Sequence, residues 1–164
     1  MAPPERERVL LVEDNEDDAM LARRALRRLK REITITHVDD GAKAVQYLEA
    51  ALASGDGMMP RVVLCDLKLP KRTGVEVLQW FRHQPGGEET PFVMLTSSDQ
   101  PDDIAACREA GADGYIQKPV DYDAYMSVME EVERFWLEEQ VAEEKDAPSP
   151  AKPDQRFIRF AKLN

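Results

Sequence analysis

The chain is expected to be an α/β protein, a doubly wound five-stranded parallel sheet in the order 2-1-3-4-5, on three grounds. Three short runs, Val9–Val12, Val62–Cys65 and Phe92–Leu95, are apolar throughout rather than alternating, as strands buried on both faces are. Segments of helical period separate the strand-like runs, and regular alternation of strand and helix implies a parallel sheet with right-handed crossovers. Those three runs also stop abruptly on polar groups, Glu13-Asp14, Asp66 and Thr96-Ser97-Ser98. In an open α/β sheet the carboxyl ends of the strands line the crevice where ligands bind.

Taken in order, Val9–Val12 is the first strand. The helix that follows runs from Asp17 to Leu29, with Ala22, Ala25, Leu26 and Leu29 on one face and Asp17 and Asp18 in its first turn, where acids complement the helix dipole. Its cluster Arg23, Arg24, Arg27, Arg28, Lys30 and Arg31 has two readings, a solvated face or a docking surface for an acidic partner. Ile33–Val38 alternates β-branched residues as a second strand, with His37 a strand-end residue, and Asp39-Asp40-Gly41 turns into a helix reaching about Ala53. Val62–Cys65 is the central strand. The helix Val75–Gln84 carries Val75, Leu78, Trp80 and Phe81 on its apolar face, and Pro85-Gly86-Gly87 ends it. Phe92–Leu95, a short helix Pro101–Glu109 closed at Gly111, and the strand Gly114–Gln117 follow. The last helix runs from Tyr122 to at least Trp136. Two overlapping apolar stripes, one through Met126 and Met129 and one through Tyr125 and Val128, make it broader than one sheet contact needs, which raises a partner surface as an alternative to core.

Composition bounds the function. At 164 residues the chain fits one domain with an extension, able to bury roughly two-thirds of its unfolded surface. Cys65 and Cys107 lie inside regular structure, too few for a metal cage or disulfide framework, and read as buried hydrophobes in a reducing compartment. A formal charge of −10 repels phosphate backbones, so no nucleic-acid partner is expected. No apolar run approaches the roughly 20 residues of a membrane span, and MAPPERER lacks a signal peptide's apolar core. The expected location is cytoplasmic, without membrane association.

A doubly wound order such as 2-1-3-4-5 would bring the first and third strand ends side by side, and Glu13, Asp14 and Asp66 would then converge. Three carboxylates in one crevice repel one another and resist desolvation unless a cation compensates. Oxygen ligands with room for water and phosphate suit Mg²⁺. Lys118 from the fifth strand end and the Thr96 hydroxyl from the fourth complete a set that can handle a phosphoryl group, with Asp66 as nucleophile. Each alone has a plainer reading: a helix cap for Glu13 and Asp14, a turn residue for Asp66 or Thr96, an exposed connection for Lys118-Pro119.

Four motifs, VLLVEDN, LCDLKLPKRTG, MLTSSD and GYIQKP, occur in this order between Val9 and Trp136. On them the chain resembles the receiver domains of two-component response regulators, which have a flavodoxin-like (β/α)5 fold. The resemblance implies that Asp66 is the phosphoacceptor, that Asp14 and Asp66 ligate Mg²⁺ directly, that Glu13 joins directly or through water, and that the backbone carbonyl of Lys68 completes the protein's share. It further implies phosphoryl contacts from Thr96 and Lys118, a switch formed by Thr96 and Tyr115, and a cis peptide at Lys118-Pro119. Two positions depart from or vary within the family. Glu13 stands where many receivers have aspartate, and Lys68 places a cation beside the acceptor; Lys68 and Ser98 occupy positions that modulate phosphoryl hydrolysis. Lys68 shielding the acyl phosphate from water stands beside the plainer reading of a solvated lysine.

Residues 1–137 read as the receiver and 138–164 as an acidic helix extension, a Pro-rich spacer and an apolar, basic tail, RFIRFAKLN, with no output domain. The spacer APSPAKPD could reach roughly 25 Å if extended. The tail is expected to lie on an acidic and apolar surface of its own chain or of a second subunit. A narrower likeness is to the small regulators paired with bacterial phytochrome histidine kinases. The expected function is phosphorelay signalling, with a sensor histidine kinase or phosphotransfer protein as partner and a homodimer formed through the last helix and the tail. The protein would then be no enzyme beyond slow autodephosphorylation. A phosphorylation-independent dimeric adaptor is one alternative. A phosphatase of the haloacid-dehalogenase kind is another, although it would need a second acid where Lys68 stands.

Overall fold

The computed structural model describes residues 7–54 and 58–137 and, as backbone, 157–159. Its elements are β1 (Glu7–Val12), α1 (Glu16–Arg27), β2 (Ile33–Val38), α2 (Gly41–Ser54), β3 (Val62–Cys65), α3 (Gly74–Arg82), β4 (Phe92–Thr96), α4 (Pro101–Ala110), β5 (Gly114–Gln117) and α5 (Tyr122–Val132). A π-helical turn, Glu133–Leu137, extends α5, and β6 covers Phe157–Arg159. Strands β1 to β5 are parallel in the predicted order, β2-β1-β3-β4-β5.

A sixth strand joins the five expected parallel ones. β6 pairs antiparallel with β5, Ile158 opposite Tyr115, so backbone from the tail segment occupies the sheet edge. An edge strand otherwise presents a row of unpaired N–H and C=O groups, and the β-prone Phe-Ile pair suits a segment that covers it. The acidic extension and the spacer lie outside the described residues, as do the tail's side chains.

Alternate strand residues face opposite layers. Val9, Leu11, Val62, Leu64, Val93, Leu95 and Ile116 pack with α1 and α5; Leu10, Val12, Val63, Cys65, Phe92, Met94 and Tyr115 pack with α2, α3 and α4. Both faces of β1, β3 and β4 are therefore dry, which is why those runs carry no alternation. On α3 the buried residues are Val77, Leu78 and Phe81, with Val75 and Trp80 only partly covered.

The width of the last helix is used inside the chain. Tyr125, Val128, Met129 and Val132 are buried against α1 and the sheet, and the π turn carries Trp136 and Leu137 into the same layer. Arg31 anchors that turn from the end of α1, bonding the carboxylates of Glu7 (2.6 Å) and Glu133 (2.8 Å) and the Leu137 carbonyl. Core packing thus accounts for both stripes. The Lys118–Pro119 bond is trans, not cis as the resemblance implied; trans is the lower-energy form of an X-Pro bond, and here it is compatible with the lysine reaching the site described below.

Candidate functional site

Each strand end is pinned before its side chain is presented. The backbone N–H of Glu13 donates to Val38 O (3.0 Å) and that of Asp66 to Val12 O (2.9 Å), so the ladder carries one residue past each strand and fixes both acids at the rim between β1 and β3. His37, on β2, lies with Nε2 2.8 Å from the Glu13 carbonyl oxygen and holds the β1 end from the other side. Asn15 caps α1 by accepting from Asp18 N–H, while its own N–H donates to Glu13 Oε2 (3.2 Å). After Asp66 the chain turns tightly: Gly74 N–H donates to Leu67 O, and a Cβ at Gly74 would lie 2.3 Å from the Asp66 carbonyl oxygen. Glycine is needed there because α3 starts against the acceptor loop.

Lys118 enters from the end of β5, its N–H bonded to Thr96 O (2.7 Å). Its ammonium lies 2.7 Å from Glu13 Oε1, 2.9 Å from Asp66 Oδ2 and 3.0 Å from Asp18 Oδ2. Burial opposes the charge, but hydrogen bonds to Glu13 and Asp66 outweigh it and push the lysine's pKa up. Asp66 is 7% exposed and also accepts from Leu67 N–H through Oδ1 (2.7 Å). Glu13 is 2% exposed; burial, reinforced by the charge of Asp66 and only partly offset by Lys118, pushes its carboxyl up to about 7.

Carboxylate oxygens of Glu13, Asp14 and Asp66 lie within 4.8 Å of one another. With Asp18, four carboxylates face one ammonium, so the pocket holds three more formal negative charges than positive ones. An all-oxygen donor set with that imbalance, Glu13 and Asp66 buried and Asp14 open to solvent, fits a small divalent cation.

The remaining predicted residues divide. Thr96 is buried at the end of β4, two residues beyond the Met94–Cys65 pair, and its hydroxyl accepts from Ser98 N–H (3.3 Å). Tyr115 is turned inward, 1% exposed, and its hydroxyl donates to Ser98 O (2.8 Å); burial raises its pKa to about 12. Ser98 itself donates to Asp103 on α4. Lys68 is exposed, with no acid in the place a haloacid-dehalogenase phosphatase requires. Asp18 is the residue that sequence reasoning treated merely as a first-turn acid. Its helical spacing to Ala22 and Ala25 puts it on the inward face of α1, whereas Asp17 is exposed.

Comparison with known proteins bears on the family and the fold. The family model described as response regulator receiver domain matches residues 9–130. The probable methanogenesis regulatory protein FilR2 of Methanothrix harundinacea is 38% identical over 130 residues, covering 79% of this chain and 83% of that protein. Response regulator Rcp1 of Synechocystis is 31% identical over 130 residues, covering 79% and 88%; its Mn²⁺-bound crystal structure superposes with a TM-score of 0.72 at 30% identity, over 82% of this chain and 97% of that one. The phosphorylated cyanobacterial phytochrome response regulator RcpA superposes with a TM-score of 0.75 at 30% identity, over 83% of this chain and 97% of that one. On the extent of the family match and the shared fold, this chain belongs to the response regulator receiver-domain family.

Proposed function

We propose that Asp66 accepts a phosphoryl group from the phosphohistidine of a sensor histidine kinase or phosphotransfer protein, with Mg²⁺ held by Asp14, Asp66, Glu13 and the Lys68 carbonyl. The observation that carries this reading is the Lys118 ammonium 2.9 Å from Asp66 Oδ2, beside three carboxylates within 4.8 Å. A carboxylate oxygen of Asp66 attacks phosphorus, the P–N bond breaks, and its electron pair leaves with the imidazole, which is then free to take a proton. When bound, the metal neutralises phosphoryl oxygens and aligns them with the acceptor. Lys118 balances charge on the other side, and the Thr96 hydroxyl, which accepts from Ser98 N–H, has its O–H to donate to a phosphoryl oxygen. A shift of Thr96 toward that oxygen would draw the Ser98 segment with it, to which Tyr115 is tied, and so alter the surface around β4, β5 and α4.

The likeness to RcpA, a cyanobacterial phytochrome response regulator, supports a photoreceptor kinase as the partner. We also propose that residues 1–137 act as the receiver unit, and that the tail, with the exposed margin of α5, contributes to a homodimer. Shortening the chain by Asp154 to Asn164 should then lower the mass in solution from dimer to monomer, and an unchanged dimer would remove the tail from the interface. At the rim, Lys68→Ala should shorten the acyl phosphate's lifetime if the lysine shields it.

The deciding experiment is incubation with a small phosphoryl donor and Mg²⁺, followed by intact mass and peptide mapping. One phosphoryl group on Asp66, labile in acid and in base as an acyl phosphate is, absent in Asp66→Asn and without Mg²⁺, is expected. A protein that stays unlabelled yet binds its partner would instead be the phosphorylation-independent adaptor.

A further inference from the structure

Lys118 has three N–H donors and three carboxylate partners, one for each donor. The three partners differ in what holds them. Glu13 is sealed at the rim, 2% exposed and bonded to Asn15 N–H. Asp66 is fixed by Leu67 N–H and is the reacting group. Asp18 sits in the first turn of α1 with its side chain 29% exposed, and its other oxygen lies 3.5 Å from the hydroxyl of Tyr125, a fully buried residue of α5. Of the three it has the most solvent to move into when its bond to the ammonium breaks, and α1's N-terminus and the Tyr125 hydroxyl remain to receive it.

We infer that Asp18 is a positioning residue for phosphoryl acceptance. It draws the Lys118 ammonium toward α1 in the resting protein, and it is the partner that yields when a phosphoryl oxygen arrives, so its charge sets how readily the lysine engages an incoming anionic donor. The inference rests on the reading of Asp66 as phosphoacceptor. It assigns Asp18 a role distinct from that of the adjacent Asp17, which shares its charge and its helix turn but is exposed.

The test compares wild type, Asp18→Asn and Asp17→Asn as full-length chains, with acetyl phosphate as donor and Mg²⁺ saturating, and follows the labelling of Asp66 by intact mass. Asparagine keeps the size and a hydrogen-bonding oxygen for Lys118 and removes only the charge. Asp18→Asn should lower the half-saturating donor concentration about fivefold, the effect of removing one partly screened charge a few ångströms from the ammonium. Its maximal rate should change by less than about twofold, and Asp17→Asn should stay within about twofold of wild type in both quantities. A purely structural role would lower the maximal rate and the unfolding midpoint without moving half-saturation. Equal shifts in the two variants, or no shift in Asp18→Asn, would overturn the inference while leaving the acceptor in place. A wild-type protein that is never labelled on Asp66 would overturn both.

Discussion

Replacing Glu13 with glutamine tests the electrostatics of the pocket without any phosphoryl chemistry. The Glu13 carboxyl is buried between Lys118 and Asp66, and its pKa is raised from 4.5 to about 7. The folded protein therefore binds this proton more tightly than the unfolded chain does. The resulting stabilisation is complete below the ordinary value of 4.5 and is lost as pH rises through about 7. The gap between 4.5 and about 7, at about 1.4 kcal/mol per pH unit, amounts to roughly 3 kcal/mol. Glutamine cannot ionise, so Glu13→Gln lacks this loss, and the exchange of a neutral carboxyl for an amide shifts stability mainly by a constant. Urea unfolding of both proteins in chelator, at about pH 5 and about pH 8, reads the difference directly. From acid to alkaline pH the variant should gain on the wild type by up to roughly 3 kcal/mol. Adding Mg²⁺ at the alkaline pH should recover the wild type by about 2.7 kcal/mol at a hundredfold excess over Kd, and the variant by less at the same concentration, because one oxygen ligand has lost its charge. Parallel pH profiles for the two proteins would refute the assignment of Glu13 as the proton-holding member of the cluster.

Gly74→Ala would drive a Cβ to 2.3 Å from the Asp66 carbonyl oxygen, so it should cost about 1–3 kcal/mol in urea unfolding and slow Mg²⁺-dependent labelling of Asp66. Arg82 ties Asp113 (2.8 Å) to the carbonyls of Gly87, Thr90 and Gly111 at the opposite end of the sheet. Arg82→Ala leaves the buried Asp113 carboxylate without its cation and should cost about 3 kcal/mol, while folded protein still takes the phosphoryl group at the wild-type rate. Arg31→Ala removes the anchor of the π turn at a partly exposed site; a loss of about 1–2 kcal/mol and faster amide exchange across Glu133–Leu137 are expected.

Several parts of the site were legible because the forces behind them are local. An apolar run such as Val62–Cys65 can end only where a polar group meets the rim, so Asp66, Thr96 and the Glu13-Asp14 pair announced their places. Parallel order then brought the acids together. Asp18 was missed because its first-turn position suits a helix dipole equally well whether or not a lysine stands opposite. The last helix looked too broad for one contact because a sequence window does not show that α1 packs beside it or that a π turn rotates Trp136 and Leu137 inward. The tail's backbone pairing with β5 was equally out of reach, since an edge strand's need for a partner does not specify which segment supplies it.

Periodicity and the abrupt ends of apolar runs marked by themselves the five parallel strands and the polar groups at their ends. The fold alone decided how the three donors of Lys118 are shared out, since Asp18 lies 100 residues away along the chain and Asp66 lies 52 away. The physical reason is range. Burial and hydrogen-bonding patterns repeat within a few residues and can be read along the sequence, whereas an ammonium's choice among carboxylates depends on angströms set by crossovers and packing between distant segments.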